Sequence, residues 1–257
     1  MEAARTLALR GLRVVLYERE ERLGGAVALA ASAPGRGELR LITEYLQRQL
    51  KLLDVEVHLG EEMSAEMILA GQPEPAAVIV ATGARSGTGL LPIAGSDLPN
   101  VTNVRRILRR EQLMGQRVVV IDETASHGVL SVAELLASQG KSVEIVTEDW
   151  YAGRDLAATH DLVPWMQRVL AMDVVVTPHT AIARIEAGRV IVTDRFAAGE
   201  RGIEADAVVL GVYERPAQEL YFALKGHVSR LYRAGDCVAP RRIEQAIMEG
   251  RHVSLQC

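Results

Sequence analysis

Aromatic residues make up only 4% of the 257-residue chain, and cysteine occurs twice, at Cys237 and Cys257. Two cysteines so far apart leave no C-x-x-C redox pair, no cluster with metal-ligand spacing and no disulfide framework. No apolar run approaches the roughly 20 residues that a bilayer crossing requires. Arg5, Arg10 and Arg13 interrupt the first apolar stretch, so it does not read as a signal peptide. A basic face is missing as well. The net charge is −4 with both signs interspersed, and pairs such as Arg109-Arg110 read as solvated helix faces. Nucleic acid and membrane are therefore not expected partners, and the cytoplasm is the simplest compartment.

What is present is an ordinary globular composition with a repeated pattern. Ala3, Ala4, Leu7 and Ala8 recur at helical spacing over residues 2–9, and Gly11 ends that helix. Arg13-Val14-Val15-Leu16-Tyr17-Glu18 follows as a strand closing on an acid. Helix, glycine, strand and terminal acid form the second half of a Rossmann βαβ unit. Its first strand and glycine turn are expected just before Met1. A helix over residues 38–53, a strand at 55–59 and a buried strand at 77–81 continue the layer. Pro92, Gly95 and Pro99 mark a connector.

A second βαβ unit runs from the strand at 117–121, through a helix at 129–138 that Gly140 stops, to a strand at 142–146. Further strands are predicted at 174–176, 189–192 and 207–210, with a short strand and turn at 231–236 before a closing helix. The fold class is α/β, with two Rossmann-like dinucleotide-binding domains in a glutathione-reductase-like arrangement and the first strand of the first domain missing. The first domain takes residues 1–112 and 217–257, the second 113–216. A Rossmann layer without its central strand lacks backbone pairing and a phosphate turn, so the isolated chain is expected to retain flavin poorly.

Glu18 ends the second strand of the first layer, where a carboxylate can accept both ribose hydroxyls of an adenosine. Arg19 is beside it in a run of charges that otherwise reads as solvated. Leu23-Gly24-Gly25 follows, and paired glycines let a backbone approach a bulky ligand. Ala81-Thr82-Gly83 leaves room at a sheet edge, although strand-to-loop turns often look the same. Gly235-Asp236 presents a carboxylate just ahead of a helix, suited to the hydroxyls of a flavin ribityl chain with the helix N-terminus towards the diphosphate. An N-cap Asp without any ligand would look the same.

Together these residues resemble the two-dinucleotide-domain flavoproteins. More narrowly, the chain resembles the C-terminal part of the NADH:flavin oxidoreductase group, which includes 2,4-dienoyl-CoA reductase and trimethylamine dehydrogenase. Met1-Glu2-Ala3-Ala4, Glu18, Leu23-Gly24-Gly25, Ala81-Thr82-Gly83 and the tail Gly235-Asp236-Cys237-Val238-Ala239-Pro240-Arg241-Arg242-Ile243 carry the likeness. The resemblance implies FAD, or ADP in its place, at Glu18, Arg19, Leu23, Gly24, Gly25, Ala81, Thr82, Gly83, Gly235 and Asp236. It also implies an N-terminal barrel bearing FMN and a 4Fe-4S cluster, absent from these residues, where turnover occurs. No catalytic residue and no metal ligand is expected in this chain. An electron-transfer flavoprotein as partner and a homo-oligomer are further implications.

One loop departs from that pattern. A nicotinamide-cofactor turn is G-x-G-x-x-G, with bare backbone N–H groups facing the pyrophosphate. Here the strand runs into Asp122-Glu123-Thr124-Ala125-Ser126-His127-Gly128, with two carboxylates in glycine positions. A like charge about 4 Å from a phosphate costs roughly 1 kcal/mol in water and several times more when partly buried. NAD(P) binding is therefore not expected, and the loop is closer to the amine dehydrogenase branch. His127, His160 and His179 read as structural or solvated, Cys237 as structural, and Trp150-Tyr151 as core rather than an exposed patch for an electron-transfer partner. The remaining alternatives are a non-catalytic ADP-binding module and an NAD(P)H-dependent flavin reductase.

Overall fold

A computed structural model describes residues 1–71, 74–87, 89 and 92–257. The chain forms two compact units: Met1–Ala31, Glu38–Arg85 and Glu214–Cys257 in the first, Ser32–Gly37 and Ser86–Tyr213 in the second.

In the first unit α1 (Glu2–Leu9) ends shortly before Gly11, whose φ of +80° suits a residue without Cβ. β1 (Val15–Glu18) follows. The Gly24-Gly25 turn starts α2 (Gly25–Ala30), within a stretch whose glycines and prolines read as irregular. α3 (Arg40–Leu52) buries Thr43, Leu46 and Leu50 on one face. β2 (Glu56–Leu59) pairs parallel with β1, from Val15↔Glu56 to Glu18↔Leu59. α4 (Ala65–Ala70) is capped by the Ser64 hydroxyl, which accepts the Met67 N–H. β3 (Val78–Val80) and the short β4 (Ala84–Arg85) lead out of the unit.

The second unit begins with β5 (Val101–Asn103) and α5 (Val104–Leu108), then β6 (Arg117–Asp122), α6 (His127–Ser138) and β7 (Ser142–Thr147). α7 (Leu162–Leu170) and β8 (Val175–Thr177) follow, then β9 (Thr180–Glu186), β10 (Arg189–Asp194), β11 (Glu200–Glu204) and β12 (Ala207–Gly211). β5-β12-β6-β7-β8 form a five-stranded parallel sheet, and β11-β10-β9 an antiparallel one. Continuous apolar runs suit strands buried on both faces: Val118, Val119, Val120 and Ile121 of β6 are all buried. Val190, Val192 and Ile203 of the antiparallel sheet share a core with Val119, Ile121, Val208 and Leu210.

The chain returns through β13 (Arg215–Pro216), which pairs antiparallel with β4, so outgoing and incoming segments are joined. α8 (Glu219–Leu224), β14 (Leu231–Arg233) and α9 (Ile243–Gln256) complete the first unit, with β14 parallel to β3. α9 lies close on α1, because a Cβ on Gly250 would stand 3.3 Å from the Ala3 nitrogen.

The compact units divide at Arg85 and Tyr213, not at residues 112 and 216. The reason is β5, which hydrogen-bonds to β12 and draws the preceding connector into the second unit. The closing helix also starts later than the Gly-Asp turn implies. Asp236 lies within a short 3-10 turn, Gly235–Cys237, and α9 begins at Ile243.

Candidate functional site

At the end of β1, the Glu18 side chain accepts the Glu20 N–H through Oε1 at 3.0 Å, and Oε2 makes no hydrogen bond among the described residues. The Glu61 amide donates to the Glu18 carbonyl at 3.0 Å, tying this turn to the end of β2. Arg19 is exposed, 3.9 Å from Glu62. The Met1 amine at the start of α1 is lowered from its ordinary value chiefly by burial, while the charges of Glu2 and Glu18 oppose that shift. Beside Glu18, Tyr17 stacks on His58 with ring centroids 4.8 Å apart. His58 is raised by its bond to Glu56, and further by Glu61.

Leu23 is half-buried. Gly24 and Gly25 both have positive φ, +124° and +49°. A Cβ on Gly24 would stand 2.9 Å from Ala28 and 3.0 Å from Thr43, so the turn packs tightly on α3. A Cβ on Gly25 would meet nothing within 4 Å, which leaves that backbone open to an approaching ligand.

Ala81-Thr82-Gly83 and Gly235-Asp236 are brought together by the β3–β14 pair. The Ala234 N–H donates to the Val80 carbonyl at 3.1 Å, and the Thr82 hydroxyl donates to the Ala217 carbonyl at 2.5 Å. Cys237 is buried, and its thiol points to the Val80 carbonyl at 3.1 Å, which gives it a structural role. Gly83 is as open as Gly25: a Cβ there would also meet nothing within 4 Å. The Gly235 N–H is already taken by Glu249 at 2.8 Å, and Asp236 accepts the Arg241 N–H at 3.2 Å. Glu249 also pairs with Arg241. Glu249 and Arg241 are thus part of this turn, a relation that their distance along the sequence concealed.

In the second unit Asp122 ends β6 and is 3% exposed. Its Oδ1 accepts the Ala125 N–H at 2.8 Å, and its Oδ2 has no hydrogen-bond partner among the described residues. Burial first, and then the nearby Asp149 charge, raise this carboxyl to about 6, against opposing bonds from backbone amides including Ala125 and Gly153. Glu123 accepts the Tyr213 N–H at 3.2 Å. The two acids therefore do not face outwards as bare charges; both engage backbone donors.

His127 is not a lone histidine. Arg36 Nη1 lies 2.7 Å from its Nδ1, and Asp161 lies 3.2 Å from its Nε2. Arg36 and Asp161 line a cavity of about 330 Å³ with Trp165 and the buried Glu134, which pairs with Arg168 at 2.6 Å. Residues this distant in sequence leave no local signal. Trp150 also departs from expectation: it is 73% exposed and clusters with His179 and Phe196, at 4.7 and 5.8 Å between ring centroids, instead of entering the core. Among the described residues there is no group of three potential metal ligands and no helix long and apolar enough to cross a membrane.

Parallel strands covered by helices define a mixed α/β protein. No family model matches the chain. Curated relatives do: bilirubin reductase of Mediterraneibacter gnavus is 34% identical over 97% of this chain and 38% of its own length. N,N-dimethylglycine/sarcosine dehydrogenase of Chromohalobacter salexigens is 28% identical over 98% of this chain and 42% of its own. Among solved structures, 6-hydroxypseudooxynicotine amine oxidase from Pseudomonas geniculata superposes with a TM-score of 0.92 at 29% identity, over 99% of this chain and 40% of that one. The chain corresponds to a C-terminal part of these larger flavin oxidoreductases. It spans about two fifths of the length of these relatives.

Proposed function

We propose that the chain is the flavin- and nucleotide-binding portion of a larger flavin-dependent oxidoreductase, with FAD, or ADP in its place, held by the first unit. The observation that carries this reading is Glu18, which ends β1 with one carboxylate oxygen unengaged. In such a position a carboxylate accepts the ribose hydroxyls and disfavours a 2′-phosphate. The residues fit an adenosine nucleotide: Gly25 and Gly83 are open where side chains would obstruct, and Arg19 is exposed beside Glu18. Gly235-Asp236 supports a ribityl contact less directly, since Glu249 holds the Gly235 amide. A bound flavin would supply electron transfer, and this chain's residues would bind and orient it.

In this reading the two units are Rossmann-like. The two-stranded parallel pairs β1–β2 and β3–β14 would then each take up a further parallel strand. Turnover is assigned to an N-terminal barrel with FMN and a 4Fe-4S cluster. An electron-transfer flavoprotein as acceptor, a homo-oligomeric assembly and a cytoplasmic location belong to the same proposal. Substrates of the amine class fit best, because the second unit's loop is unsuited to NAD(P).

Calorimetric titration of the purified chain with FAD and with ADP tests the site. Weak binding is expected, in keeping with poor flavin retention by the isolated chain, and Glu18→Ala weakens it about tenfold further, as loss of charged hydrogen bonds does. ADP binding without FAD binding would favour the structural ADP module. Binding of neither would refute the site.

A further inference from the structure

The loop between β6 and α6 combines a buried acid, a strained backbone and a set of engaged amides. β6 has β12 and β7 as neighbours, so Asp122 stands at the carboxyl edge of an interior strand. α6, a helix of 12 residues, begins five positions later. In a parallel nucleotide-binding sheet this is where backbone N–H groups receive a diphosphate.

Those donors are turned inwards here. Ala125 has a φ of +52°, unfavourable for a residue with a Cβ, and is fully buried. That conformation directs its N–H onto Asp122 Oδ1 at 2.8 Å. The Ala125 carbonyl accepts the Asp155 N–H at 3.2 Å, which stitches the loop to a second one after Gly153. Gly153 is itself left-handed and so close to α6 that a Cβ would stand 2.2 Å from Leu130. Glu123 accepts the Tyr213 N–H, and its own N–H donates to Gly211.

We propose that the Asp122 carboxylate is an internal occupant of the diphosphate position of the second unit, engaging the loop's own backbone donors and thereby excluding dinucleotide cofactors. The inference rests on reading this unit's sheet as a nucleotide-binding layer. It makes Asp122 a specificity-determining residue. Refusal of NAD(P)H is then a property built into the loop, beyond charge repulsion alone. An incoming diphosphate would have to displace a carboxylate tethered covalently to the same loop, at very high effective concentration.

The test uses the full chain, labelled with nitrogen-15 and carbon-13, and NADH and ADP-ribose as probes. In the wild type neither probe is expected to shift the Ala125 or Gly153 amide signals at millimolar concentration. In Asp122→Gly both signals shift on addition of ADP-ribose, with affinity at least tenfold above wild type. Perturbation of the wild-type loop by NADH, or a folded Asp122→Gly that leaves these amides untouched, overturns the proposal. Should Asp122→Gly fail to fold, the wild type still decides. The Ala125 amide shift must follow the Asp122 carboxyl carbon through one common midpoint as pH is varied, and independent titration of the two refutes the contact. Signals around Glu18 report separately on the first unit, so loss of that site leaves the loop result unaffected.

Discussion

Asp122 carries a stability consequence that can be signed. Its carboxyl, raised to about 6 from 3.8 by burial first and Asp149 second, holds a proton more tightly in the folded than in the unfolded chain. Its contribution is most favourable below pH 4 and is lost as pH rises through 6. The shift corresponds to at most about 3 kcal/mol. Asp122→Asn is expected to stabilise the protein by about 1–3 kcal/mol at pH 7.5, with the gain vanishing near pH 4. Urea unfolding at the two pH values checks this, and equal effects at both would remove the titration as cause. At this scale Glu18 was legible, because an acid closing an apolar strand is a local pattern. The Arg36–His127–Asp161 group was not, since Arg36 and His127 are 91 residues apart and meet only through packing.

Among the elements, β6, β7 and β12 were readable from uninterrupted apolar runs that suit strands covered on both faces. β11, Glu200–Glu204, was not: Ile203 is its one buried residue, and it is a strand because Val190 pairs with Ile203 across β10. The end of β12 shows how closely these elements meet. A Cβ on Gly211 would stand 2.4 Å from Val129 of α6 and 2.6 Å from the Ile121 carbonyl of β6. Gly211→Ala should therefore destabilise the protein by about 1–3 kcal/mol, because the backbone carbonyl cannot move aside. Thermal unfolding of this variant against wild type measures the effect, and an unchanged midpoint would show that the junction is looser.

Over the whole molecule, the two units differ in how their strands are supported. The second has a five-stranded sheet with buried strands, whereas the parallel ribbons of the first have two strands each. On β1, Val15 and Tyr17 remain exposed. Isolated two-stranded pairs are marginal in water. Hydrogen exchange is therefore expected to be faster for amides of β1, β2 and β3 than for β6, β7 and β12. Denaturant should produce two transitions, the first unit unfolding before the second. Uniform protection and a single coincident transition would contradict this.

Periodicity, glycine placement and strand-end acids, all local properties, determined the α/β class, the β6–α6–β7 unit and the acid that closes β1. They also determined that the loop at Asp122 could not be a bare glycine turn. Only the tertiary structure decided where the chain divides, because β5 joins β12 through hydrogen bonds to a strand about a hundred residues away. It alone decided that Trp150 faces solvent and that Asp122 turns inwards onto Ala125. Burial and hydrogen-bond direction depend on what packs against a residue, and composition does not specify that neighbour.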